Sequence, residues 1–167
     1  MNVFLSHSNN KEDSEIINLL ALGFRLMCVN LYIAERESTP SESLSKKLKN
    51  RIDGSDAILV LYTVHACQSR DVNWEIGYAG GKKKIYFINE WGVKKPVAHE
   101  GEEDFPFDRT KLVDNIHDVC SYFKQYGNIS AGKKTTSLEY ISQMVVASGD
   151  AKYKIRLKYP KNVDLTH

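Results

Sequence analysis

Residues Ala57 to Thr63 read AILVLYT, an unbroken apolar run that stops at a threonine. A strand with one wet face alternates apolar and polar residues; a strand covered on both faces does not. This run therefore belongs at the centre of a sheet with a layer packed on each side. That requirement limits the folds open to the chain more than any other feature.

The flanking patterns supply the layers. NVFLS (Asn2 to Ser6) is a second short apolar run and reads as a buried strand. After it, Ile16, Leu19, Leu20, Gly23, Phe24 and Met27 keep a helical period, with Asn10 as a cap and Glu12 and Asp13 in the first turn. VNLYIA (Val29 to Ala34) reads as the second strand. A polar loop then enters a helix through a capping box of Thr39, Pro40 and Glu42. Leu44, Leu48 and Ile52 form its inward face, and Gly54 ends it. Beyond the central run, SRDVNWEIGYAGG reads as a helix closed by Gly80 and Gly81, and KIYFIN as a strand. Strand and helix alternate through four strands, which predicts a parallel sheet with helices on both faces.

After Asn89 the pattern weakens. EWGVKKPVAHEGEEDFPFD reads as a long polar connection, either mobile or lying over a site. KLVDNIHDVCSYFKQY reads as a short strand running into a helix. TTSLEYISQMVVASG, opened by Thr136 and Glu139, reads as a further helix, and KYKIRLKY as a charged edge strand. The expected organisation is one domain over residues 1–127, with residues 128–167 a C-terminal helix and edge-strand extension packed on it. No second domain is expected.

Composition narrows the function classes. The net charge is +2 over 167 residues, too little to argue for nucleic acid or a membrane surface. No apolar run approaches the ~20 residues of a membrane span, and the N-terminus lacks the form of a secretory signal. Three widely spaced cysteines fit reduced thiols in a cytoplasm. His65, His99 and His117 with Cys67 and Cys120 show no metal-ligand spacing, so no metal is expected. No Gly-rich dinucleotide fingerprint or phosphate-loop lysine occurs, which argues against a resident cofactor and against triphosphate hydrolysis.

One residue breaks its local pattern. In the helix from Ser69, Val72, Ile76 and Ala79 form the inward stripe, and Glu75 falls in it. Burying a carboxylate is costly without a partner or a task. In an open parallel sheet, ligands bind beyond the carboxyl ends of the strands, and Glu75 lies in the second turn of a helix that starts there. Its spacing fits a structural ion-pair partner as well as a carboxylate aimed into a ligand crevice.

The words VFLSHSNNKED, LYIAERESTPSESLSKKLKNRIDGSDAILVLYT and SRDVNWEIGYAGGKKKIYFI, in this order, resemble the Toll/interleukin-1 receptor (TIR) domain, especially its stand-alone prokaryotic type. Asp13 matches that family's early-helix acid and ERESTPSE its functional loop. The likeness is good over Asn2 to Asn89. It implies a flavodoxin-like α/β fold, an open parallel sheet of about five strands with helices on both faces. It also implies NAD cleavage at the nicotinamide–ribose bond, with Glu75 as the catalytic residue and NAD as substrate, not cofactor. On that reading Ser6, His7, Ser8, Arg36 and Trp74 are the candidate substrate-binding residues. Each has a plainer alternative: strand-end capping for the first three, a solvated arginine, a packed tryptophan. Asp71 departs from the aromatic residue frequent in the family at that position. The resemblance further implies a homo-oligomer through TIR–TIR contacts, a cyclic ADP-ribose-type product in antiphage defence, and a separate effector protein activated by it. The rivals are a non-catalytic TIR scaffold and a nucleoside deoxyribosyltransferase-like enzyme, which also has a glutamate before a GYA-like word.

Overall fold

The structure is a computed structural model that describes residues 1–33 and 44–126. Arg36, the capping box at Thr39 to Glu42, the helix expected from Thr136 and the whole of residues 128–167 lie outside the described residues.

Among the described residues five strands form one parallel sheet: β1 (Asn2–Ser6), β2 (Asn30–Ile33), β3 (Ala57–Tyr62), β4 (Lys84–Glu90) and β5 (Glu103–Phe107). Their order is β2-β1-β3-β4-β5. The AILVLYT run is the central strand, and every residue of β3 is buried. The helices are α1 (Ser14–Leu26), α2 (Leu44–Asp53), α3 (Arg70–Ala79) and α4 (Leu112–Tyr126).

Strand alternation sends side chains into two separate cores. Val3, Leu5, Leu59 and Leu61 join residues of α1 and α4 on one face. Phe4, Ile58, Val60 and Tyr62 join residues of α2 and α3 on the other. Across the first core Phe24 meets Phe123 with ring centroids 5.3 Å apart. Burying such a ring stabilises the fold by about 1.5–3 kcal/mol. This two-sided burial is why the central run carries no polar residue.

The helix ends follow local chemistry. Asn10 Oδ1 accepts from the Glu12 N–H at 2.9 Å and opens a short turn that leads into α1. Ser69 Oγ accepts from the Val72 N–H at 3.3 Å and caps α3. At the far end the Gly80 N–H donates to the Ile76 carbonyl, and Gly81 turns the chain toward β4 with φ 73°. A left-handed φ of this kind favours glycine because it has no Cβ.

The last strand departs from the expectation. The strand is not KLV but EDFPF, inside the segment read as a polar connection. It pairs in parallel with β4, Ile88 opposite Phe105 and Glu90 opposite Phe107. Residues 103–107 are therefore part of the sheet and cannot form a lid. KLV instead supplies the end of a short turn and the start of α4. Among the described residues β5 pairs on one side only, and such a strand tolerates exposed Glu103 and Asp104 and also Pro106, which has no N–H to donate.

Candidate active site

β1 carries its alternation to its last residue. Phe4 faces the α2/α3 core, so Ser6, two residues on, faces the same way. α3 lies on that face through Val72, Ile76 and Ala79, all buried. Glu75 completes the stripe at 6% exposure, and the Ser6 hydroxyl donates to its Oε2 at 2.5 Å. The inward direction expected for Glu75 is thus realised. From Ser6 it receives one strong, charge-assisted bond.

The other candidates are distributed around this pair. His7 is half-buried, and its Nδ1 lies 2.8 Å from the Ser8 carbonyl oxygen. A carbonyl oxygen only accepts, so Nδ1 carries the hydrogen, and in the neutral ring Nε2 is left as the acceptor. The Ser8 hydroxyl donates to Asp13 Oδ2 at 2.5 Å. Trp74 neighbours Glu75 in sequence but lies on the flank of α3. Its ring stacks on Tyr78 at 5.4 Å, with the Lys49 ammonium 6.0 Å from its centroid. The structure therefore brings Ser6 to Glu75 and places the Trp74 ring outside that pair. Arg36 is outside the described residues.

A second carboxylate network borders the site, and the sequence reading missed most of it. Asp13 is fully buried. Its Oδ2 accepts from Ser8 and, at 2.8 Å, from the Thr63 hydroxyl. Its Oδ1 accepts from Arg109 Nη2 at 2.8 Å. Arg109 also donates through Nη1 to the Glu12 carbonyl and through Nε to Glu90 at the end of β4. Glu90 Oε2 in turn accepts the Val64 N–H at 3.0 Å. The bonds to Glu90, then those to Asp13, hold the Arg109 guanidinium above its ordinary range, against the opposing effect of burial. Just before it, Asp108 accepts from the Thr110 N–H and hydroxyl, which holds its carboxyl below the usual range. Only a recognised β5 would have pointed to Arg109, because its strand exit places the following DRT at the carboxyl edge.

Tyr62, at the end of β3, has its phenol pushed up by burial and by nearby Cys67. A polar pocket of about 180 Å³ lined by Asn2, Asn30, Tyr32, Asn50, Arg51 and Gly54 lies at the opposite, amino edge of the sheet, so it is not part of the Glu75 site. Among the described residues there is no group of three or more His, Cys, Asp or Glu that could hold a metal ion. None of the described helices is long and apolar enough to cross a membrane.

Comparison with known proteins bears on this geometry. The profile of the TIR domain family matches residues 3–93. The TIR domain of the Toll-related receptor TRR-2 from Hydra magnipapillata superimposes with a TM-score of 0.61 at 14% identity, covering 74% of this chain and 97% of that one. The CMP N-glycosidase BcmB of Clostridium botulinum superimposes with a TM-score of 0.56 at 17% identity, covering 73% and 99%. At these identities the two structures speak for the fold alone. No curated protein sequence matches the chain significantly.

Proposed function

The chain belongs to the TIR domain family, and from that premise we propose that it cleaves the nicotinamide–ribose bond of NAD with Glu75 as the catalytic carboxylate. The observation that carries the reading is the Ser6–Glu75 pair: a buried carboxylate at the carboxyl edge of the sheet, held by a hydroxyl at 2.5 Å.

The chemistry suits one carboxylate. Glycoside hydrolysis commonly needs a second carboxyl group to protonate the leaving group. Nicotinamide is attached as a pyridinium cation, so it takes the bonding electron pair and departs neutral without a proton. Positive charge then develops on the ribosyl carbon, and Glu75 would stabilise it electrostatically or as a transient nucleophile. Water completes hydrolysis, giving ADP-ribose and one proton. Attack by an adenine nitrogen instead closes a ring and also releases one proton. Ser6 Oγ, whose hydrogen goes to Glu75, and His7 Nε2, left as an acceptor, would each take a ribose hydroxyl proton, and Arg36 would meet the pyrophosphate. Self-association, a cyclic product, antiphage defence and a separate effector belong to the same proposal, as does a cytoplasmic setting.

The likeness to a CMP N-glycosidase favours a second reading, cleavage of a nucleoside monophosphate. A neutral pyrimidine is a poorer leaving group than nicotinamide and needs protonation, a demand a serine hydroxyl does not meet. One assay separates the readings. Purified protein is incubated with NAD, CMP and deoxynucleosides over a range of protein concentrations, and the released base is measured by chromatography. Nicotinamide release that disappears in Glu75→Gln supports the first reading. Base release from CMP or deoxynucleosides alone supports the glycosidase-type reading. Silence towards all of them leaves a scaffold.

A further inference from the structure

We propose that Arg109 is a positioning residue for the chemistry at Glu75: by clamping Asp13 and Glu90 it fixes the ends of β1 and β3, and so holds Ser6 against the Glu75 carboxylate. Its catalytic consequence rests on the NAD-cleaving reading above; the clamp itself does not.

Asp13 is the hub of this network. A fully buried carboxylate needs both a countercharge and donors. Arg109 supplies the charge at 2.8 Å, and Ser8 and Thr63 supply hydroxyls at 2.5 and 2.8 Å. Ser8 is two residues past Ser6 in the loop that leaves β1. Thr63 is the first residue past β3, the strand paired with β1 through Ser6 and Val60. The Thr63 hydroxyl also accepts the Ala66 N–H at 3.1 Å and so shapes the turn that leads to α3. Both chain segments that deliver Ser6 and Glu75 are thus tied to one carboxylate.

The same guanidinium reaches Glu90, whose Oε2 receives the Val64 N–H. The exits of β1, β3 and β4 therefore converge on a side chain that follows β5. Arg109 is itself fixed from behind. Asp108 accepts from Thr110, and the Asp108 N–H donates to Asn115 Oδ1 at 3.1 Å in the first turn of α4. A planar fork that bonds two carboxylates and a carbonyl at once cannot be replaced by the single ammonium of lysine. No described contact joins Arg109 to Glu75, so any influence on the reaction passes through the loops.

The test separates charge from geometry in the full chain. Arg109→Lys keeps the countercharge for Asp13 and loses the fork; Arg109→Met loses both. For each, kcat and KM for nicotinamide release from NAD, the thermal midpoint, and amide hydrogen exchange are measured, the last at Asn10, which donates to the Ser8 hydroxyl, at Val64, which donates to Glu90, and at His65 and Ala66, which donate to the Thr63 hydroxyl. Arg109→Lys is expected to melt near the parent, to exchange faster at those amides, and to lose about tenfold or more in kcat with KM nearly unchanged. Normal turnover per folded molecule and parental exchange in Arg109→Lys, with only Arg109→Met melting lower, would mean that the guanidinium merely neutralises Asp13, and the proposal would be overturned. If the parent protein releases no nicotinamide, the NAD reading fails on its own. Exchange then decides: faster exchange in Arg109→Lys upholds the clamp, and unchanged exchange overturns it.

Discussion

Ser6 Oγ donates to Glu75 Oε2 at 2.5 Å, a bond between residues 69 apart that joins the end of β1 to α3. Both groups are buried. Removing the hydroxyl leaves a desolvated carboxylate short of a donor. Ser6→Ala is therefore expected to lower stability by about 1–3 kcal/mol and to reduce NAD turnover. Urea unfolding and nicotinamide release check it; parental values for both would show that the bond carries neither stability nor function.

Glu75→Gln keeps the size of the side chain and an oxygen that can accept from Ser6, and it removes the charge. Folding should survive. NAD cleavage should fall by about 10²-fold or more, the scale lost when a preorganised electrostatic group is deleted. Paired measurements of turnover and thermal midpoint decide the matter. A lower midpoint with full activity per folded molecule would return Glu75 to a structural role.

Thr63→Val is close to isosteric, yet it deletes the hydroxyl that donates to Asp13 and accepts from Ala66. Both partners are buried. The variant should lose about 1–3 kcal/mol, more than a valine swap at an exposed threonine such as Thr110. Equal unfolding midpoints for the two variants would remove Thr63 from the network.

Asp108 gives a pH signature. Its carboxyl is held below the usual range by the Thr110 N–H and hydroxyl, so the folded state binds that proton less readily than the unfolded chain does. Its contribution is present above the ordinary aspartate range and is lost as the pH falls through the lowered value. The thermal midpoints of the parent and Asp108→Ala should differ at neutral pH and converge in acid. A gap that persists at the lowest pH where both remain folded would contradict this.

Much of this architecture was legible because single residues betray their surroundings. AILVLYT announced a strand covered on both sides, and it is the central strand. Glu75 stood out as an acid in an apolar stripe, and it is buried. β5 was hidden because an edge strand needs little apolar surface: Glu103 and Asp104 face water, and Pro106 resembles loop chemistry. Missing that strand hid Arg109, whose bond to Asp13 spans 96 residues and leaves no local trace. The Trp74 ring answers a nearer demand, stacking on Tyr78 four residues on, the spacing at which helix side chains meet.

β5 also sets a prediction about association. It is the last of the described strands, and among the described residues no strand pairs with its outer side. Exposed edges of this kind template pairing with other chains unless charge or proline interrupts them. Here Glu103 and Asp104 are exposed, and Pro106 withholds one N–H from any incoming strand. Glu103 also accepts from the Tyr122 hydroxyl and Asp104 pairs with Lys95, so the acids are tied into the fold, whereas the ring of Pro106 is the simplest device to remove. Pro106→Thr restores the N–H and introduces a good strand former. The variant should keep its fold and show greater concentration-dependent light scattering than the parent. If instead its scattering matches the parent while its circular dichroism is native, the acidic side chains alone protect this edge, and the proline serves only the turn toward Asp108.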